Sequence, residues 1–236
     1  MRVSPLPAHL ASRIRAPHRT ARRDARLVAA AIRAGRASAN DAFDRFLPDD
    51  LRTVSRHYWT PLRVVGRAAA WLRETQARSV IDIGSGAGKF CVAIALLTRC
   101  RVMGLEHRAS LVSAARDLAE VFAVDDRVTF THGDLSMAAG LSGDCYYFFN
   151  PFGDYTFESP RFAEPEVVFS PETQRRDIEA VAALLSQAPL GTFVITYNGY
   201  GGTIPAGYEQ VDVAVHLPGT LRLWKKHGGT PSRSVR

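Results

Sequence analysis

The sequence predicts an α/β domain, a mostly parallel sheet with helices on both faces, carrying a helical N-terminal extension. Three observations lead there. The stretch Ser79-Val80-Ile81-Asp82-Ile83-Gly84-Ser85-Gly86-Ala87-Gly88-Lys89-Phe90 passes from an apolar run ended by an acid, through three alternating glycines, into a helical run reaching Leu97. That is strand, tight turn, helix. Downstream, short strand-like runs alternate with runs of helical period. Upstream, residues 1–36 hold nine arginines and one acid, Asp24, whereas the other 200 residues carry 21 basic and 22 acidic side chains. The net charge of +7 therefore resides in the leader.

A chain of 236 residues with 46% hydrophobic content can fill one such core. No apolar run approaches the roughly 18 residues of a membrane span, and the N-terminus has no apolar signal segment. Cys91, Cys100 and Cys145 are odd in number and lack metal-ligand spacing, so reduced thiols in a cytoplasmic protein, with no metal, are expected.

The elements follow in order. Residues 1–20, with Pro5, Pro7 and Pro17, read as irregular. Thr20 to Arg33 favours helix and stops at Gly35. The Arg-rich leader could bind phosphate backbones or another acidic surface, could be a solvated tail, or could resemble a targeting peptide. Short helices over Asp41–Phe46 and Pro48–His57 present Phe43, Phe46, Leu47, Leu51 and Val54 to the main domain. Thr60 as N-cap and Pro61 at the first helical position start the next helix, with Leu62, Val65, Ala69 and Leu72 on its apolar face. Strands follow at Arg101–Leu105, Val128–Phe130, Asp144–Phe149 and Thr192–Tyr197. Ser170 and Pro171 cap a helix with Ile178, Val181, Ala182 and Leu185 inward. Val211/Val213/Val215 and Leu221/Leu223 alternate in two final strands. The aromatic, proline-bearing connection over residues 153–170 reads as a substrate-side lid.

Three ligand classes use a glycine turn between strand and helix. A phosphate loop needs Gly-x-x-x-x-Gly-Lys-Ser/Thr, but Phe90 follows Lys89 and Ile83 occupies the first glycine position. A dinucleotide fingerprint needs Gly-x-Gly-x-x-Gly/Ala, and neither Gly84 nor Gly86 starts one. Asp82-x-Gly84-x-Gly86-x-Gly88 resembles motif I of the class I S-adenosylmethionine (SAM)-dependent methyltransferases. An acid at the strand end suits SAM, which carries an amino group and a sulfonium but no phosphate.

The resemblance, over roughly residues 58–225, implies a Rossmann-like sheet of seven strands, closed by an antiparallel pair. The chain then divides into the Arg-rich leader (1–36), helices covering the cofactor site (37–76), a SAM-binding domain (77–228) and a basic tail (229–236). Gly84, Ser85, Gly86 and Gly88 would hold the methionine part with Asp82. Glu106, 18 residues after Gly88, would grip the ribose hydroxyls with its two acceptor oxygens, bordered by His107 and Arg108. Asp134, with Leu135, resembles the Gly-Asp element that accepts the adenine amine. Tyr58-Trp59-Thr60-Pro61 resembles the Phe-x-Thr-Pro element of DNA amino-methyltransferases, placing Tyr58 and Thr60 near the methionine end; a capped helix alone also accounts for these residues.

At the fourth strand's end, Asn150-Pro151-Phe152 is one proline short of the Asn/Asp-Pro-Pro-Phe/Tyr of enzymes that methylate planar nitrogens. The resemblance implies that Asn150 and the Pro151 carbonyl hold the acceptor while Phe152 stacks on it; a plain strand-ending turn is the alternative. The expected function is methyl transfer from SAM to a nitrogen of a macromolecule, a nucleic-acid base or protein side chain. Nucleic acid could engage the leader, and no membrane is involved. The alternatives are a small-molecule methyltransferase and a non-catalytic SAM-binding module.

Overall fold

The computed structural model describes residues 19–36, 39–151, 170–216 and 219–228. Phe152 and the 153–169 connection, the first 18 residues and the last eight lie outside them.

Four helices lead in: α1 (Arg19–Arg33), α2 (Ala39–Asp44), α3 (Asp49–Tyr58) and α4 (Leu62–Glu74). The sheet is then built from β1 (Ser79–Ile83), β2 (Arg101–Glu106), β3 (Val128–His132), β4 (Cys145–Phe149), β5 (Phe193–Tyr197), β6 (Tyr208–His216) and β7 (Gly219–Lys226). Helices α5 (Lys89–Leu97), α6 (Ala109–Val121) and α7 (Pro171–Gln187) connect them, with a 3₁₀ helix at Leu135–Gly140. The strand order is β3-β2-β1-β4-β5-β7-β6. The first five strands are parallel, and β7 pairs antiparallel with β5 and β6. This is the expected Rossmann-like sheet of seven strands. Its order reverses between β1 and β4, so the crevice at their carboxyl ends is where such a sheet binds ligands.

Both faces of the sheet are buried: Val80, Val102, Tyr147 and Ile195 face one core, and Ile81, Leu105, Phe148 and Val194 the other. After Lys89, helix α5 is apolar all round, and eight of its nine residues are buried, because it is sandwiched between the sheet and the N-terminal helices. Leu111, Ala115 and Leu118 turn α6 inward, and Val181, Leu184 and Leu185 do the same for α7 on the opposite face. Ser170 caps α7 by accepting the Thr173 N–H at 3.1 Å, as its Ser-Pro start predicts. Helix α1 ends as expected at Gly35, where φ is +67°. The Arg36 N–H returns to the Ala31 carbonyl at 3.0 Å, a Schellman closure.

The N-terminal helices are packed into this core. Phe43 is fully buried and stacks on Phe122 with centroids 4.7 Å apart, and Leu47 and Leu51 are buried beside it. Helix α4 is tied to the far sheet edge by Asp212, which accepts hydrogen bonds from Trp71 Nε1 and Arg67, both at 2.8 Å. The start of α4 differs from expectation. Pro61 occupies the N-cap position and Thr60 caps nothing; the Leu62 N–H is instead accepted by Asn40 Oδ1 at 3.2 Å. Thr60 is drawn away because its hydroxyl bonds Tyr147 Oη on β4 at 2.6 Å. Val211, Val213 and Val215 of β6, the edge strand, are exposed. Leu221 and Leu223 of β7 are buried.

Candidate functional site

A cleft of about 330 Å³ opens at the carboxyl ends of β1, β2, β4 and β5. Its floor is the glycine turn. Gly84, Gly86 and Gly88 all have positive φ, between 53° and 79°, which L side chains rarely adopt. Close approach adds a second requirement. A β-carbon on Gly86 would land on the Trp59 indole, and one on Gly84 would stand 2.9 Å from Pro151 Cβ. The turn is hung from β2: the Gly84 and Ser85 N–H groups both donate to the Leu105 carbonyl, at 2.9 and 3.1 Å.

Glu106 borders this floor with a buried carboxylate. One oxygen accepts the Gly86 N–H at 2.9 Å and the other the Arg108 N–H at 3.0 Å. Each oxygen keeps a lone pair for a further donor. His107, whose Nδ1 is 3.5 Å from Glu106, Arg108 and Leu111 continue this wall. The opposite wall comes from the end of α3 and the link after it: Arg56, His57, Tyr58, Trp59 and Pro61.

Not every expected residue faces this cleft. Asp82 lies beneath the turn, 3% exposed, and accepts a hydrogen bond from Cys91 Sγ at 3.2 Å. Burial, with a smaller contribution from the Glu106 charge, pushes its carboxyl up to about 7. Ser85 Oγ is buried, has no hydrogen-bond partner among the described residues, and turns toward Gly104 of β2. Asp134 is exposed and caps the 3₁₀ helix through Ser136, whose hydroxyl and N–H hold its pKa below the ordinary value. Leu135 packs into the core on the α7 side. Thr60 is buried against Tyr147, which stacks in turn on Phe90 with centroids 3.5 Å apart. Among the three strand-end acids, Glu106 alone borders the cleft.

The far end of the cleft is built by β4 and β5. Phe149 pairs with Tyr197 across the strands, and their rings lie 4.7 Å apart. Asn150 and Asn198 follow them, both with positive φ, 37° and 59°, and Pro151 closes against Gly84. Of these, the sequence singles out Asn150 and Pro151. It does not single out Trp59, Phe149, Tyr197 or Asn198 as site residues. The available signal for Asn198 is its position, directly after a strand and before Gly199. Among the described residues no His/Cys/Asp/Glu group could hold a metal ion, and no helix is long and apolar enough to cross a membrane.

Comparison with known proteins agrees with this architecture. The protein-L-isoaspartate(D-aspartate) O-methyltransferase family model matches residues 51–141. No curated protein matches the chain. Among solved structures, an RNA methyltransferase from Salinibacter ruber, in complex with S-adenosyl-L-homocysteine, is 21% identical. It aligns over 73% of this chain and 95% of its own, with a TM-score of 0.53. A putative O-methyltransferase from Klebsiella pneumoniae is 16% identical over 79% of this chain and 90% of its own, TM-score 0.53. TrmN from Thermus thermophilus is 16% identical over 80% of this chain and 53% of its own, TM-score 0.56. At these identities the structural likeness speaks for the fold. The chain has the Rossmann-like fold of SAM-dependent methyltransferases, and the family match supports that activity with SAM as the cofactor.

Proposed function

We propose that the protein transfers a methyl group from SAM to a planar nitrogen of a macromolecule, a nucleic-acid base in preference to a protein side chain. The observation that carries this reading is Asn150-Pro151 at the tip of β4. Asn150 is held in the left-handed region, an arrangement that costs about 1–3 kcal/mol and persists where the surroundings impose it. Its side chain is exposed at the cleft, and Pro151 abuts the glycine turn.

The residues present fit an adenosyl cofactor. Glu106 offers two acceptor oxygens to ribose hydroxyls, Leu111 an apolar surface to the adenine, and the glycines a floor without side chains. Asp82 has a pKa near 7; a cationic group bound above the turn would stabilise its carboxylate and pull that value down, the proton leaving to solvent. SAM supplies a methyl group already activated by its sulfonium, so the protein's task is alignment at about 3–3.5 Å. The nitrogen of an exocyclic amine is a poor nucleophile because its lone pair is delocalised. Asn150 Oδ1 and the Pro151 carbonyl would accept its two N–H bonds and localise that pair toward the methyl group.

Charge favours nucleic acid. Arg56 and the buried Arg108 line the cleft against a single acid, Glu106, and Arg22, Arg23 and Arg26 are exposed on α1. Such an arrangement attracts phosphate. The isoaspartate family match ends at residue 141, before β4, so it spans the cofactor half of the site and not the acceptor half.

Labelling a cell lysate with tritiated SAM, then separating nucleic acid, protein and metabolites, tests this reading. Label on an exocyclic base nitrogen is expected. Label confined to carboxyl or hydroxyl oxygens, or to the metabolite fraction, would overturn it.

A further inference from the structure

Asn150 has a counterpart on the neighbouring strand that the reading above leaves unused. Phe149 and Tyr197 are register partners, so Asn150 and Asn198 emerge side by side from β4 and β5, both left-handed and both lining the cleft. The Asn150 N–H donates to the Gly199 carbonyl at 3.0 Å and locks the two strand ends together. We propose that Asn198 is a specificity-determining residue. Its amide Nδ2 would donate a hydrogen bond to an acceptor atom adjacent to the target amine, selecting a base edge with amine and ring nitrogen side by side, as in adenine or cytosine.

The direction of the Asn198 amide is fixed by its other end. Oδ1 accepts the Thr220 N–H at 3.0 Å, while the Asn198 N–H donates to the Thr220 carbonyl at 3.0 Å. A backbone N–H cannot face an amide nitrogen, so Oδ1 is turned to β7, and among the described residues neither Nδ2 proton meets an acceptor, which leaves them for a ligand. The amide is also seated rather than loose. A β-carbon on Gly219 would overlap both of its polar atoms, so the glycine at the start of β7 leaves the space the amide fills. Asn150 would then accept from the amine while Asn198 donates to the atom beside it. A lysine amine carries no such neighbouring acceptor.

This inference rests on the planar-nitrogen reading, and the test separates the two. The substitution Asn198→Asp keeps the oxygen that accepts from Thr220 and removes the donor. Tritiated-methyl transfer is measured to adenine- and cytosine-containing RNA and DNA oligonucleotides, and to the same oligonucleotides with the ring nitrogen beside the amine replaced by carbon. N198D is expected to lower kcat/KM on the natural bases by about 10- to 100-fold. It should leave the Kd for SAM and the Tm unchanged, and it should not separate from wild type on the deaza oligonucleotides. Equal kcat/KM for wild type and N198D on the natural base would overturn the role of Asn198 and leave the nitrogen reading standing. Failure of the wild-type protein to methylate any base, or label appearing only on glutamine amides of protein, would overturn both the base reading and this inference.

Discussion

Lys89 Nζ lies 2.6 Å from Asp44 Oδ1, and both side chains are almost wholly buried. Ser55 completes the triad: its hydroxyl donates to Asp44 Oδ2 at 2.7 Å and accepts from Lys89 at 3.1 Å. The lysine that ends the glycine turn is thus turned away from the cleft and clasps helices α2 and α3 to the start of α5. Burial lowers its pKa despite the opposing pull of Asp44. Removing one partner leaves a buried charge unpaired, so Lys89→Ala or Asp44→Ala is expected to cost about 3–5 kcal/mol. Replacing both with apolar residues, Lys89→Met with Asp44→Leu, should recover most of that loss. Urea unfolding of the three variants checks it: additive single effects would show that the pair is not coupled.

Asp82 gives stability an unusual pH dependence. Its folded-state pKa is about 7, raised from 3.8 chiefly by burial. Between those values the native chain holds a proton that the unfolded chain has released. Stability from this group is therefore greatest in acid and falls as pH rises through the window, by roughly 4 kcal/mol in all. Unfolding free energies from pH 5 to pH 8 should decline more steeply in the wild type than in Asp82→Asn. Parallel curves would show that Asp82 is ionised in the native state throughout.

The glycine turn fails in two ways if given a side chain. In Gly86→Ala the new methyl group meets the Trp59 indole, and the residue must hold φ at +53°. A loss of about 1–3 kcal/mol in stability is expected from the backbone alone, with SAM binding weakened because the Trp59 indole must shift within the cleft. The double variant Gly86→Ala/Trp59→Ala relieves the overlap but not the strain. Calorimetric SAM titration should therefore show at most partial recovery, and full wild-type affinity in either variant would contradict this account of the turn.

The parts of the site legible in the sequence are those that local geometry decides. Alternating glycines between an apolar run and a helix specify the turn whatever surrounds it, and Glu106 is fixed by the length of one strand-helix-strand unit. Side chains whose partners come from distant segments were not legible. Thr60 looks like a cap until Tyr147, 87 residues away, is folded against it. Lys89 serves in the sequence only to reject a phosphate loop, because nothing in the chain announces Asp44 as its partner. Asp134 is the instructive exception. Asp134-Leu135-Ser136 is a local capping pattern that the sequence does display, and the structure uses it as a cap. Asn198 was hidden because its meaning depends on β5 lying beside β4 and β7.

Glu106 fixes the turn and, on the reading proposed here, the cofactor. Its two oxygens accept the Gly86 and Arg108 N–H groups. Glu106→Gln would leave one oxygen and set an amide N–H against a backbone N–H, a donor facing a donor. Leaving a buried donor unpaired costs about 1–3 kcal/mol, so SAM affinity should fall by about 10- to 100-fold while Glu106→Asp, too short to reach both, falls comparably. Isothermal titration decides this. An unchanged Kd in Glu106→Gln would mean that Glu106 supports the loop alone and does not touch the ligand.

Asn150 separates catalysis from binding. Its side chain is exposed at the tip of β4, whereas the floor that would hold SAM is made by β1 and β2. Asn150→Ala removes the acceptor for the target amine and leaves that floor untouched. If the carboxamide stabilises charge developing on the nitrogen only in the transition state, kcat should fall by about 10²–10³-fold, with the Kd for SAM unchanged and KM for the acceptor little altered. Asn150→Asp keeps an acceptor oxygen and should retain more activity than the alanine variant. Asn150→Gly relieves the positive φ without restoring the oxygen, so it should be at least as stable as the wild type yet as slow as Asn150→Ala. A glycine variant with wild-type kcat would show that β4 ends in an ordinary turn and that the nitrogen is activated elsewhere.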